Sequence, residues 1–129
     1  MPTPAEIGLP RWHDLVESRD ASRLPVMIAD DAVFHSPAVH SPQEGRELVT
    51  AYLAGAIQVL GPSLTYVGQW QGDDDAVLRF TAEVDGLQVE GVDLIRWNDD
   101  GLIEDFTVMI RPFKALQAVM ARMLEILAR

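Results

Sequence analysis

AVLRFTAEVDGLQVEGVDLIRW, residues 76–97, decides the fold. It holds two alternating runs, Ala76–Val84 and Leu87–Trp97, on either side of Asp85-Gly86. Alternation puts successive side chains on opposite faces of a strand, and Asp-Gly between two such runs signals a tight hairpin. A two-residue turn there fixes the register: Val84 opposite Leu87, Ala82 opposite Val89, Phe80 opposite Gly91 and Leu78 opposite Asp93. With Ile95 and Trp97 these residues make one face of ten positions, and Asp93 is the sole charge on it. A carboxylate on such a face has to be desolvated, paired or neutral. Desolvation raises its pKa, by as much as ~3–5 units when burial is complete. A carboxyl held neutral donates a hydrogen bond to a ligand oxygen, and one held near neutrality moves protons. The structural alternative is a bond to a backbone amide, an indole N–H or a nearby hydroxyl.

The period of two continues outward. Leu64–Gln71 precedes the hairpin across Gly72-Asp73-Asp74-Asp75, and Leu102–Arg111 follows it across Asn98-Asp99-Asp100-Gly101. Together the four runs predict an antiparallel meander. Upstream the period is helical. Leu9, Trp12, Leu15 and Val16 share a stripe that predicts a helix over 10–19, with Pro10 in its first turn. Asp20 caps a short helix over 21–28, and Ala32–Ser36 reads as a strand stopped by Pro37. Ser41-Pro42-Gln43-Glu44 has the form of a capping box opening a helix that carries Leu48, Tyr52, Ala56 and Val59, although Gly45 moves its start to Arg46. Gly61-Pro62 ends it. Pro112 begins a last helix with Leu116, Val119, Met120, Met123 and Leu127 on one side. Helices first and a long antiparallel sheet afterwards define an α+β class: a curved sheet with helices packed on its concave face around one apolar pocket. One domain over 1–129 is expected, with 1–9 a tail and 112–129 the C-terminal helix.

Composition narrows the partners. The formal charge is −10, from 20 acidic and 10 basic residues, a surface that repels phosphate backbones and anionic lipid, so neither nucleic acid nor membrane is expected. There is no cysteine, which excludes disulfides and thiolate chemistry. No apolar run approaches the ~20 residues of a membrane span, and no leader-like segment opens the chain, so a cytoplasmic location is expected.

In order and spacing, Ala29-Asp30-Asp31-Ala32-Val33-Phe34, Gly45-Arg46-Glu47-Leu48, Val92-Asp93-Leu94-Ile95-Arg96-Trp97-Asn98 and Gly101-Leu102-Ile103 resemble the nuclear transport factor 2-like, SnoaL-like superfamily of ketosteroid isomerases and polyketide cyclases. The resemblance runs from about Pro10 to Arg111. It implies the cone-shaped, cystatin-like fold and a pocket for a small hydrophobic molecule, with isomerase-, cyclase- or dehydratase-like chemistry. Asp93 matches the aspartic acid of the isomerases' oxyanion hole. Their general-base aspartate falls on Ser36 and their oxyanion tyrosine on Trp12. Serine does not shuttle a proton between carbons, so steroid isomerisation by that mechanism is not expected. A non-catalytic ligand-binding or dimeric interaction domain is the alternative.

The candidate catalytic residues are Asp93 and His40, the latter in the loop after the first strand with a pKa suited to proton transfer. Trp12, Phe34, Ser36, Tyr52, Phe80 and Phe106 are the candidate lining of the pocket. His35 alternates away from Phe34 and Ser36, and His13 follows Trp12. Their spacing with His40 makes no zinc site, Asp73-Asp74-Asp75 lacks the pattern of a calcium loop, and no cofactor is expected. On the opposite sheet face Val77, Arg79, Thr81, Glu83, Glu90, Val92, Leu94, Arg96, Thr107 and Met109 alternate apolar with charged groups, which predicts a homodimer through that face unless the C-terminal helix covers it.

Overall fold

The computed structural model describes residues 1–128. Helix α1 (Pro4–Ser18) leads through a 3₁₀ helix (Ala21–Met27) into β1 (Ile28–His35) and the short β2 (Gln43–Glu44). Then come α2 (Arg46–Leu60), β3 (Thr65–Gln71), β4 (Asp75–Val84), β5 (Leu87–Trp97), β6 (Ile103–Arg111) and α3 (Phe113–Leu127). The strands form one sheet in the order β2-β1-β6-β5-β4-β3. β3 to β6 are the antiparallel meander, and β1 returns alongside β6 in parallel. The hairpin register is the one Asp85-Gly86 dictates: Val84 faces Leu87, Phe80 faces Gly91 and Leu78 faces Asp93. Both turn residues take positive φ, 52° at Asp85 and 80° at Gly86, as a two-residue hairpin of this hand requires.

Two expectations need correction, and the alternative to an outer-face interface is removed. Residues 1–9 are not a tail, because α1 begins at Pro4. Thr3 accepts from the Glu6 N–H and Glu6 returns a bond to the Thr3 backbone, a complete capping box that the sequence reading passed over. Pro10 therefore sits within the helix. The apolar stripe Ala5, Leu9, Trp12, Leu15, all buried, holds the helix on the sheet across the missing bond. Ser41 to Glu44 caps nothing: Gln43 and Glu44 pair with Phe34 and Val33 as β2, and the cap of α2 is Gly45 at φ 99° without a side-chain bond. Finally, α3 does not cross the outer sheet face. It packs on the same side as α1 and α2, where Met123 meets α2 at Gly55: a Cβ added there would lie 3.1 Å from Met123 Cε.

The helices bury that inner face. Leu78, Phe80, Val89, Ile95, Trp97 and Phe106 are sealed against Leu15, Val49 and Leu53. Two glycines set close approaches. Gly8 of α1 rests on the indole of Trp97, and Gly91 of β5 lies under the Phe80 ring and the Met109 carbonyl; a Cβ at either would collide.

Candidate ligand-binding site

Asp93 is the one buried charged or polar residue among the described residues, 6% exposed. It lies mid-strand in β5 with Leu78 and Val108 on either side of it in register. Burial pushes its carboxyl up to about 7, against a partial opposing pull from a hydrogen bond with Tyr66. The Tyr66 hydroxyl donates to Asp93 Oδ2 at 2.6 Å, and Trp12 Nε1 donates to the same hydroxyl at 2.9 Å. The Tyr66 pKa is driven upward, first by burial and then by the charge on Asp93. Thus α1, β3 and β5 each contribute one member of a relay that ends on the carboxylate. Asp93 Oδ1 has no protein donor, and it is not sealed off: Thr50 Oγ1 is the one fully enclosed side-chain polar atom without a partner among the described residues. Oδ1 is therefore the oxygen that the protein leaves unclaimed on Asp93, a residue that lines a cavity.

That cavity measures about 30 Å³, and Trp12, Leu53, Ile57, Leu64, Tyr66, Asp93, Phe106 and Val108 are among its lining residues. A second, of about 20 Å³, lies between Phe34, Ser36, Ile110, Val119, Met120 and Met123. Ala56, Leu60 and Val108 line both. In place of one pocket the structure thus has two small ones on either side of a shared partition, each with room for about one or two waters.

The sequence-derived candidates divide between them. Asp93, Trp12 and Phe106 meet at the first cavity, where the Trp12 and Phe106 rings are 4.9 Å apart. Phe34 and Ser36 line the second, and Ser36 Oγ also accepts from the Ala38 N–H at 3.2 Å. Tyr52 packs on Phe34 with ring centroids 5.4 Å apart, and Phe80 is wholly buried behind Tyr66; neither lines a cavity. His40 is exposed in the loop after β1 and lines neither cavity, so no geometry joins it to Asp93. His13 bonds Gln69 at 2.8 Å, and His35 pairs with Asp105 on the outer face at 3.2 Å.

Sequence reasoning missed Tyr66. The inner-face position opposite Phe80 would have singled it out, but a four-residue turn leaves the β3 register open, and a bulge between Tyr66 and Gly68 breaks the alternation.

A larger hollow, of about 500 Å³, lies where Trp70, Gln71 and Asp75 meet Val77, Leu94, Arg96, Asp105 and Thr107, away from the acid. Most of these side chains belong to the outer face, which also carries intrachain ion pairs: Arg79 and Arg111 on Glu90, and Arg96 on Glu104.

A curved six-stranded sheet with helices on one face and an acid at the centre of that face defines a nuclear transport factor 2-like, or cystatin-like, architecture. The chain belongs to the SnoaL-like domain family, whose model matches residues 9–106. Among solved structures it is similar to a steroid delta-isomerase from Pseudomonas aeruginosa, at 38% identity and TM-score 0.91 over 97% of this chain and 92% of that one. It is also similar to a protein of cystatin-like fold from Silicibacter pomeroyi DSS-3, at 32% identity and TM-score 0.84 over 92% and 83%. A protein of unknown function from Mesorhizobium loti shares the fold at 23% identity and TM-score 0.73 over 84% and 91%. No curated protein matches the chain.

Proposed function

We infer that the chain binds a small apolar molecule through one oxygen atom, with Asp93 as the group that meets that oxygen and supplies isomerase-class acid catalysis. The observation that carries this reading is the carboxyl of Asp93 itself, buried, titrating at about 7 and with one oxygen unclaimed by the protein. In its protonated form Oδ1 donates to a carbonyl and stabilises the charge that develops there, the kind of contribution worth about 10²–10³-fold for one donor. Tyr66 and Trp12 hold the carboxyl in place from behind. The likeness to a steroid delta-isomerase at 38% identity supports a ligand of apolar carbonyl type.

Offering a β,γ-unsaturated ketone such as 3-cyclohexenone and following the conjugated product by ultraviolet absorbance tests the reading. Wild type is expected to convert it slowly, Asp93 donating to the carbonyl while solvent water takes the α-proton and returns one at the γ-carbon, and Asp93→Leu to lose about 10²-fold or more. Ser36→Phe, which fills the second cavity, is expected to abolish both conversion and binding of a neutral apolar dye while leaving the circular dichroism native. Unchanged dye binding would remove Ser36 from the site. One observation favours a carrier over an enzyme: apart from Tyr66, no second titratable group lines the Asp93 cavity, and Ser36, at the expected base position, lies across the partition. Dye binding without conversion selects the carrier.

The partner proposed for the outer face is a second copy. Arg79, Arg96 and Arg111 face Glu90, Glu104 and Asp105 there, so that with Asp75 and Glu83 added this patch is only mildly acidic while the chain as a whole carries −10. Two copies meeting here avoid much of the repulsion they would meet elsewhere, and a two-fold contact joins each patch to its own copy. The arginines are already paired within one chain, so the gain rests on apolar groups. Val92 and Leu94 are half-covered, whereas Val67, Met109 and above all Trp70, at 59% exposed, stand in water. Wild type is expected to scatter light as a dimer, and Leu94→Glu or Trp70→Ser as a folded monomer. A monomeric wild type would refute the interface.

A further inference from the structure

The ends of α1 and α3 are built differently. α1 has a reciprocal capping box and a proline in its first turn. α3 has no side-chain cap, no acid in its first turn and no base in its last. Lys114 stands at its start and Glu125 near its end, each of the wrong sign for the helix dipole. Phe113 and Leu124 project from it into water. Two things hold α3 down. One is the buried stripe Ala115, Val119, Met123. The other is a single side-chain anchor, Arg122 on Asp85 of the β4–β5 turn, with Nη2 at 2.6 Å and Nε at 3.1 Å from Oδ1. A helix with weak ends, one apolar stripe and one exposed anchor belongs to the part of a fold that opens locally at low cost.

That stripe is also cavity wall. Val119, Met120 and Met123 close the second cavity, and its partition from the Asp93 cavity is Ala56, Leu60 and Val108. Neither space, about 20 and about 30 Å³, admits an organic molecule as it stands. α1 is pinned by Gly8 against Trp97, α2 is tied at its start by Arg46 to the Ile28 carbonyl and Asp30, and the sheet is continuous, whereas α3 has the Arg122–Asp85 anchor alone. Methionine is also the side chain that best repacks around a changing space.

We propose that α3 is the movable wall of the site. It lifts from α2 and β6 in the folded protein, opens the second cavity beside Ser36 as far as the Ala56–Leu60–Val108 partition with the Asp93 cavity, and is reseated by the Arg122–Asp85 anchor. This rests on the reading that the Asp93 cavity takes an apolar molecule.

The absence of cysteine gives a clean test. Met123→Cys and Ile95→Cys each place one thiol at a buried position, on α3 and at the centre of the sheet respectively, with Val119→Cys in reserve should Met123→Cys not fold. Under native conditions methyl methanethiosulfonate is expected to modify Cys at 123 at least about tenfold faster than at 95, because local opening is easier than global unfolding. Adding Arg122→Gln is expected to accelerate modification at 123 and leave that at 95 unchanged. In the otherwise native chain, Arg122→Gln is expected to speed association of Nile red, a neutral apolar dye, in stopped flow. Equal labelling rates at 123 and 95 overturn the movable wall. Faster labelling at 123 with no change in the Nile red rate overturns its role in entry and points to a route past Gly61 and Leu64. If Nile red does not bind at all, the pocket reading fails, and with it the purpose of the motion, while the labelling still reports whether α3 opens.

Discussion

Asp93→Asn is expected to exceed wild type in stability by about 4 kcal/mol at pH 8 and to match it near pH 4. The carboxyl is buried and titrates at about 7 in the folded chain, against ~3.9 in an unfolded one. Between those values the folded state holds a proton that the unfolded state has released, so stability falls as pH rises through the window and levels off above the folded value. The gap of about 3 units, at 1.36 kcal/mol each, gives the 4 kcal/mol. At 6% exposed the group has little solvent to screen it. Asparagine carries no charge to desolvate, and its carbonyl still accepts from Tyr66. Urea unfolding of both proteins from pH 4 to 8 measures the difference, in which the other titrating groups cancel. A difference that does not vary with pH would show that Asp93 is solvated or ion-paired in the folded protein, and would take the proposed acid with it.

Tyr66→Phe is expected to be the most damaging conservative change in the site. It leaves Trp12 Nε1 and Asp93 Oδ2 without their shared partner. Each buried group left unsatisfied costs about 1–3 kcal/mol, so the loss for the two is about 2–6 kcal/mol if no water enters. The tyrosine bond is also the one influence that draws the Asp93 pKa down. Its removal pushes the carboxyl further up, and the penalty is therefore larger at pH 8, where wild-type Asp93 is ionised, than at pH 5. In the Asp93→Asn background that pH dependence should vanish. Urea unfolding at the two pH values, with a carbon-13 titration of Asp93, checks both parts. Equal penalties at pH 5 and 8 would mean that the hydroxyl has no bearing on the charge.

The hairpin from Ala76 to Trp97 was fully legible, because a two-residue turn leaves no freedom in register and period two assigns every side chain to a face. Asp93 was found that way. The elements that escaped were those whose signals compete. Thr3 and Glu6 were overlooked because Pro10 offers an equally good helix start. The Ser41–Glu44 box failed because a strand bond to Val33 and Phe34 outweighs a local cap. Tyr66 was hidden by a bulge. The partition between the cavities depends on how Leu60 and Val108 meet across 48 residues, which no local pattern encodes. The outer face was read correctly as mixed, but alternation does not show that its charges pair within the chain, nor that Trp70 is the side chain most in want of cover.

The contact of Gly8 with Trp97 has a bearing on how such a domain can change over time. Gly8 lies one helical turn before Trp12, so it sets how high the indole of Trp12 stands above the Tyr66 hydroxyl. A spacer with no side chain has nothing to trim and no space to grow into. Leu53, Ile57, Leu64 and Met120 sit on other surfaces and bear no such duty. A lineage carrying this chain is free to reshape what the cavities accept one lining residue at a time, while the height of the donor that orders the acid stays fixed by a position that takes no part in recognition.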